Sequence, residues 1–358
     1  MDEIVEVHEY APIREIPELA IREDAYALSI QGAIGFAEQL EMNLRRAWLK
    51  LAGNAQLLSL GEQLRDSLPQ AAQNLRKLSA ALSQIAERAE RLAQETQFAF
   101  LASPARKVLS IGYDLRAQKL HDACYDMIAS EARIATFLAI ARDEIPSQSW
   151  IKLSRDHAYA FGEFVLLSWT GTMFEYLMPA LWMRSYPDTL ISRTLGASVA
   201  VQRAFARTLS IPWGISESGA ARKDDAGHYD YKAYGVPQVA LWVDATAGPV
   251  VSPYSTFLAL CVDARAAYSN LRWMEAAGWV GAYGFYEAAD YTSAGKSAVL
   301  VREWMAHHQG MSLLAITNLL HENVVQRWFH ANPVVQSAEL LLHELPLSKG
   351  ALRAKLKE

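Results

Sequence analysis

The spacing of four glutamates constrains this chain most. Glu131, Glu175 and Glu217 stand 44 and 42 residues apart, and Glu287 follows after 70. A helical hairpin takes roughly 40–50 residues, the period of two-helix repeats. Hairpins closed into a ring bring one loop from each to the same rim, so blocks recurring at this period suit an α/α barrel with a cleft at one end. An open α-solenoid has the same period, and the spacing alone does not separate the two.

The pattern between these positions is mainly α. From about Leu19 to Glu95 apolar residues recur at three- and four-residue steps among Ala, Leu, Gln, Glu and Arg, the signature of amphipathic helices. Gly53 and the Ser67-Leu68-Pro69 step are expected breaks, giving two or three helices. Leu75, Leu78, Leu82, Ile85, Ala89 and Leu92 form a stripe that reads as packing against a neighbour. Residues 1–18 read as an extended leader punctuated by Pro12 and Pro17. A helix is expected from Lys119 to about Asp143, and others at 174–185, 188–208, 253–260, 263–277, 296–320 and 322–329. Strand patterns are scarce: Val108–Ile111 in a small hairpin, and VPQVALWV near 236–243.

A formal charge of −5 from 34 basic and 39 acidic residues offers no footprint for nucleic acid and no polybasic membrane anchor. The beginning MDEIVEVHEY lacks an apolar signal region, and no run reaches the roughly 20 apolar residues that span a bilayer. A soluble, cytoplasmic chain without direct membrane insertion is expected. Cys124 and Cys261, the only cysteines, lie in apolar contexts and read as buried free thiols.

Chemistry concentrates in four blocks, SWTGTMFEYLMP, SIPWGISES, GAYGFYEAADYT and REWMAHHQGMSLL. Aromatic faces beside carboxylates, amides and imidazoles suit a sugar-binding cleft. Glycoside chemistry requires two carboxyl groups flanking the scissile bond. Glu217 lies in a loop whose Gly214 and small serines let backbone approach a ligand, although a loop cap or salt bridge would also account for it. Glu287 is flanked by Tyr283, Tyr286 and Tyr291, with Asp290 three residues on. Glu175 follows a turn at the start of a helix, where a carboxylate is also favourable as a cap. Trp169, Trp213, Tyr231, Tyr286 and Tyr291 are candidates to stack on sugar rings. Adjacent His307 and His308 point about 100° apart on a helix, so they do not make a two-histidine metal site. With Gln309 they read as contacts to sugar hydroxyls or to a catalytic carboxylate, with a core or helix-capping histidine as the alternative. No metal or cofactor is expected. Phosphate loops and the GxSxG elbow are absent, which takes the main support from kinase, Rossmann and serine hydrolase readings.

The ordered blocks SIGYDL, YDMIASEARIATFLAIARDEIP, SWTGTMFEYLMPALWMRSYPDTL, IPWGISES, YDYKAYGVP, VVSPYSTFLAL, GAYGFYEAADYT and MAHHQGMSLLAITNLL resemble the glycoamylase-like middle region of cyclic β-1,2-glucan synthases. More distantly they resemble bacterial endo-β-1,2-glucanases. The resemblance runs from about Phe98 to Glu344. It implies an (α/α)6 toroid acting on linear β-1,2-glucan, cyclising it by retaining transglycosylation. The implied catalytic residues are Glu217 and Glu287, with Glu175 in reserve and nucleophile and acid/base unassigned. Trp169, Trp213, Tyr231, Lys232, Tyr286, Asp290, Tyr291, His307, His308 and Gln309 are the candidate substrate contacts, any one aromatic being more often core than platform. Glycosyltransferase and phosphorylase-like regions of a full-length synthase are implied partners. The corresponding organisation is an N-terminal helical docking region at 1–97, a catalytic barrel at 98–345 and a tail at 346–358. Where the family commonly reads DFxFLYDP, this chain reads QFAFLASP, with Gln97, Ala102 and Ser103 at the changed positions. An endo-glucanase or a non-catalytic glucan-binding module are the alternatives.

Overall fold

Three- and four-residue apolar spacing produces two long helices at the start of the chain. Helix α1 (Ile30–Leu51) is capped by the Ser29 hydroxyl, which accepts from the Gly32 N–H, and it buries Ile34, Ala37, Leu40, Leu44, Ala47 and Leu51. Asn54 caps α2 (Ala55–Glu95) by accepting from the Gln56 and Leu57 N–H groups, a cap contributing about 1 kcal/mol. Leu60 and Leu64 close the cluster with Leu19, Leu40, Leu44, Ala47 and Leu51. The chain breaks near Gly53 as expected but not at Pro69, which lies inside α2. An interior proline costs about 3 kcal/mol, which the apolar seam between the helices offsets. The stripe beyond that seam is uncovered: Leu78, Leu82, Ile85 and Leu92 are exposed.

The structure, a computed structural model, describes residues 16, 19, 27–243, 248–292, 298–348 and 350. The expected leader, apart from Ile16, and most of the tail at 346–358 lie outside the described residues. Contacts divide the chain between Thr96 and Gln97 into two units.

The second unit is mainly helical, with short strands where loops return to the core. Its elements are β1 (Tyr113–Asp114), β2 (Lys119–Leu120), α3 (Arg133–Ala141), α4 (Gln148–Lys152), β3 (His157–Ala160), β4 (Glu163–Leu166), α5 (Met173–Leu177) and α6 (Leu190–Leu209). There follow β5 (Ser218–Lys223), β6 (Tyr229–Lys232), β7 (Val250–Val251), α7 (Pro253–Leu258), α8 (Leu260–Ala276), β8 (Val280–Gly281), β9 (Gly284–Phe285), β10 (Ala288–Asp290) and β11 (Val299–Val301). The unit ends with α9 (Ala306–Leu320), α10 (Val324–His330) and α11 (Pro333–Ala338). Phe137, Trp150, Met173, Tyr176, Leu177 and Ile215 anchor one continuous core.

Several expected boundaries move, each for a physical reason. The helix expected from Lys119 is confined to α3, because Lys119–Leu120 pairs with Tyr113–Asp114 and Cys124 bridges Ser110. Val108–Ile111 forms only isolated bridges. At 236–243 no strand forms; Pro237–Val239 is a 3-10 turn tied to Ser168 by one parallel bridge at Ala240. Here the chain presses on the SWTG turn so closely that a Cβ at Gly235 would lie 1.8 Å from the Thr170 carbonyl oxygen. The helix expected from 296 begins at Ala306, because Val299–Val301 pairs with β10. Cys124 is buried but Cys261 is exposed, and both are free.

One sheet sets up the site. Strand β10 lies between β11 and β7, with Ala288 opposite Val301 and Ala289 opposite Val251. Strand β5 packs against β10. The residues immediately before β5 and β10 are Glu217 and Glu287.

Candidate active site

Glu287 is held from every side. Its N–H donates to the Glu303 carbonyl at 3.0 Å, and its own carbonyl accepts from the Ser252 hydroxyl at 2.6 Å. The Gly219 N–H donates to Oε1 at 3.2 Å, while His308 Nδ1 lies 2.8 and 2.9 Å from the two carboxylate oxygens. Against a carboxylate, Nδ1 is the donor. The two side chains are 1 % and 2 % exposed, so burial makes each the obligatory partner of the other.

His308 continues the network. Its ring lies parallel to that of Tyr254, with centroids 3.7 Å apart and an 8° interplanar angle, and its Nε2 is 3.5 Å from the Tyr231 hydroxyl. Tyr231 donates to Glu217 Oε1 at 2.8 Å, and Tyr254 donates to the Glu217 carbonyl at 2.9 Å. A chain of polar groups therefore runs Glu217–Tyr231–His308–Glu287. Burial, then the Glu217 charge and hydrogen bond, push the Tyr231 phenol far above its ordinary range, so it remains a donor. Glu217 is half-buried, on the more open side of this network.

Glu175, expected as the reserve acid, is tied into a turn. It completes a capping box with Thr172 at the start of α5. Its Oε2 accepts from the Thr172 N–H and hydroxyl and from the Thr170 hydroxyl, each at 2.9 Å, and from Ser168 at 3.1 Å. With these donors it fixes the SWTG turn and has little acceptor capacity left for a substrate proton. Arg133 supports the same turn, its buried guanidinium donating to the carbonyls of Ser130, Glu175 and Tyr176; burial lowers this group to about 10. Glu131, noted only for its spacing, has a carboxyl raised above its usual range by burial, with the Glu175 and Glu217 charges adding to the effect.

The expected sugar contacts divide. Tyr231 and His308 belong to the network, and exposed His307 lies beside them, its ring centroid 4.0 Å from that of His308. Burial and the neighbouring His308 lower the His307 imidazole. Tyr286 packs on Trp304 with ring centroids 5.1 Å apart, and Tyr283 meets the same indole at 5.2 Å. Trp169 is half-buried, and its carbonyl accepts from the Trp242 N–H. Asp290 is buried and accepts from the Ala221 and Thr292 N–H groups at 2.8 and 2.7 Å, so it fastens β5 to β10 instead of facing a cleft. Gln309 donates to the Phe285 carbonyl. Lys232 lies 3.8 Å from Asp230. Trp213 is turned inward and lines a cavity of about 400 Å³ with Arg203, Arg207, Asn270 and Trp273. Tyr291 lines another of about 880 Å³ with Trp273 and Trp279. Neither cavity wall includes Glu217 or Glu287. Tyr254, missed in the sequence, sits in PYSTFL, where it reads as one more apolar helix residue; only its proximity to two glutamates distinguishes it.

Among the described residues no cluster of His, Cys, Asp and Glu could hold a metal ion, and no helix is long and apolar enough to cross a membrane. Residues 124–333 match the family described as "Glycoamylase: Putative glucoamylase". The chain is 40% identical over 262 residues to the cyclic β-(1,2)-glucan synthase NdvB of Rhizobium meliloti, an alignment covering 72% of this chain and 9% of that protein. It thus spans less than a tenth of that relative. Among solved structures, the endo-β-1,2-glucanase of Chitinophaga pinensis is similar with a TM-score of 0.53 at 17% identity, over 85% of this chain and 69% of that one. The endo-β-1,2-glucanase of Talaromyces funiculosus gives 0.51 at 13%, over 87% and 63%. At these identities the structures establish a shared fold. With more than half its length matched, this chain belongs to the glycoamylase family.

Proposed function

We propose that the second unit acts on β-1,2-glucan, with Glu287 as nucleophile and Glu217 as acid/base of a retaining transglycosylation that cyclises the linear chain. The observation that carries this reading is the Glu217–Tyr231–His308–Glu287 network. Two carboxyl groups joined this way occupy different environments, which is how one site divides two roles. Glu287 is held by an amide and an imidazole, which fix its carboxyl group for attack. Its oxygen forms the bond to the anomeric carbon as the glycosidic bond breaks, and Glu217 gives its proton to the leaving oxygen. The 2-hydroxyl at the chain's own non-reducing end then attacks that carbon, the ester bond to Glu287 breaks, and Glu217 takes the hydroxyl proton. The exposed rings of Tyr231 and Tyr283 and half-buried Tyr286 offer faces for pyranose C–H groups.

The likeness to NdvB and to the two endo-β-1,2-glucanases supports this substrate. We read the helices as part of an (α/α)6 toroid, with glycosyltransferase and phosphorylase-like regions as partners within a longer synthase. Incubation with linear β-1,2-glucan and mass spectrometry of the products tests the reading. Rings lighter than the linear chain by one water support cyclisation. Shorter linear chains without rings assign hydrolysis instead, and unchanged, bound glucan assigns a binding module.

A further inference from the structure

Glu303 follows β11 and faces the buried side of the site. Its backbone carbonyl accepts the Glu287 N–H, and its side-chain Oε1 is buried with no hydrogen-bond partner among the described residues. Between the two glutamates lies Gly219. A Cβ there would stand 2.7 Å from Glu303 Oε1, 3.1 Å from Val301 and 3.4 Å from Glu287 Cγ, so only a glycine lets both side chains close on this point. The residue as a whole is half-buried, yet the oxygen facing inward is sealed off. A carboxylate oxygen sealed from water without a donor bears the desolvation of a charge, whereas the carbonyl oxygen of a neutral acid bears far less.

We infer that Glu303 is a positioning residue for Glu287, carrying its own proton while Glu287 is ionised, so that the pair holds a single negative charge across Gly219. Burial raises the Glu303 carboxyl above the usual range and the Glu287 charge adds to this; Lys223 of β5 and His228 of the β5–β6 turn oppose it. Loss of the Glu303 proton sets like charges against each other and loosens the hold of Gly219 and His308 on Glu287, so activity declines on the alkaline side. The effect on activity rests on the proposed function; the protonation does not.

The test uses the full chain with Glu303→Gln, which keeps the shape and removes the titration. Difference infrared spectra without substrate should show in wild type a protonated carboxyl that titrates above the ordinary carboxylate range and is missing from the variant. With β-1,2-glucan, the variant should keep its plateau kcat/KM within about threefold of wild type, the modest change expected of a group that transfers no proton, and its alkaline limb, to which loss of the Glu217 acid proton also contributes, should be displaced from that of wild type. Identical infrared titrations in the two proteins, or superimposable pH profiles from an active enzyme, overturn the inference. If no glucan is turned over, the infrared titration decides alone.

Discussion

Replacing His308 by phenylalanine isolates the bond on which Glu287 depends. The phenyl ring keeps the parallel stacking on Tyr254 at 3.7 Å, so packing changes little, but the Nδ1 donor 2.8 Å from the carboxylate disappears. Both side chains are almost wholly buried, so solvent cannot replace the lost partner, and among the described residues the Gly219 N–H is the donor that remains on that carboxylate. Removing one partner of a buried pair costs about 3–5 kcal/mol. For a unit of this size each kcal/mol lowers Tm by about 2–4 °C, so the fall should be on the order of 10 °C. Urea unfolding and thermal melts at neutral pH measure it. His307→Phe, at the exposed neighbour, should stay within about 0.5 kcal/mol of wild type. In the His308→Phe background, Glu287→Gln should recover about 1–3 kcal/mol, because the amide no longer buries a charge. A His308→Phe variant as stable as wild type, or strictly additive effects of the two substitutions, would refute the pairing as the basis of the site's rigidity.

Glu217→Ala and Glu287→Ala should each cut turnover by more than about 10³-fold while leaving the melting transition cooperative. Azide, entering where the missing carboxylate stood, should yield β-glucosyl azide from the first and α-glucosyl azide from the second, distinguishable by NMR; the reverse pattern exchanges their roles. Gly235→Ala should destabilise by more than about 2 kcal/mol, seen in urea midpoints, because the obstacle is the Thr170 backbone and not a movable side chain. The Tyr186 hydroxyl and then the His330 bond hold the Glu339 carboxyl below its usual range, against the opposing effect of burial. Its contribution to stability is therefore present above the ordinary carboxylate range and lost as pH falls through the lowered value. Glu339→Gln should narrow the gap between Tm at neutral and at acid pH.

The two central glutamates are legible in the sequence because each sits in a glycine- and aromatic-rich loop that no helix core needs. Glu175 is ambiguous there for a good reason: a carboxylate three residues after a threonine is equally the mark of a capping box, and only the convergence of Ser168, Thr170 and Thr172 decides it. The long helices follow from their spacing, but strands of two or three residues carry no period to read, so the sequence does not mark β7, β10 and β11, and Val299–Val301 reads as part of the helix after it. The inward turn of Trp213 depends on Asn270, which lies 57 residues away and bonds both its N–H and its carbonyl; nothing local to WGISES announces it. The place of Glu303 rests on an unmet oxygen, which no sequence pattern records.

Tyr254 touches both halves of the candidate pair. Its hydroxyl holds the backbone of Glu217 and reaches the Ser216 hydroxyl, and its ring lies flat on the imidazole that grips Glu287. One aromatic side chain thus ties the loop that carries Glu217 to the imidazole that holds Glu287. On the proposed function, a change of ring at Tyr254 therefore alters the spacing of the two carboxyl groups as well as the packing around them.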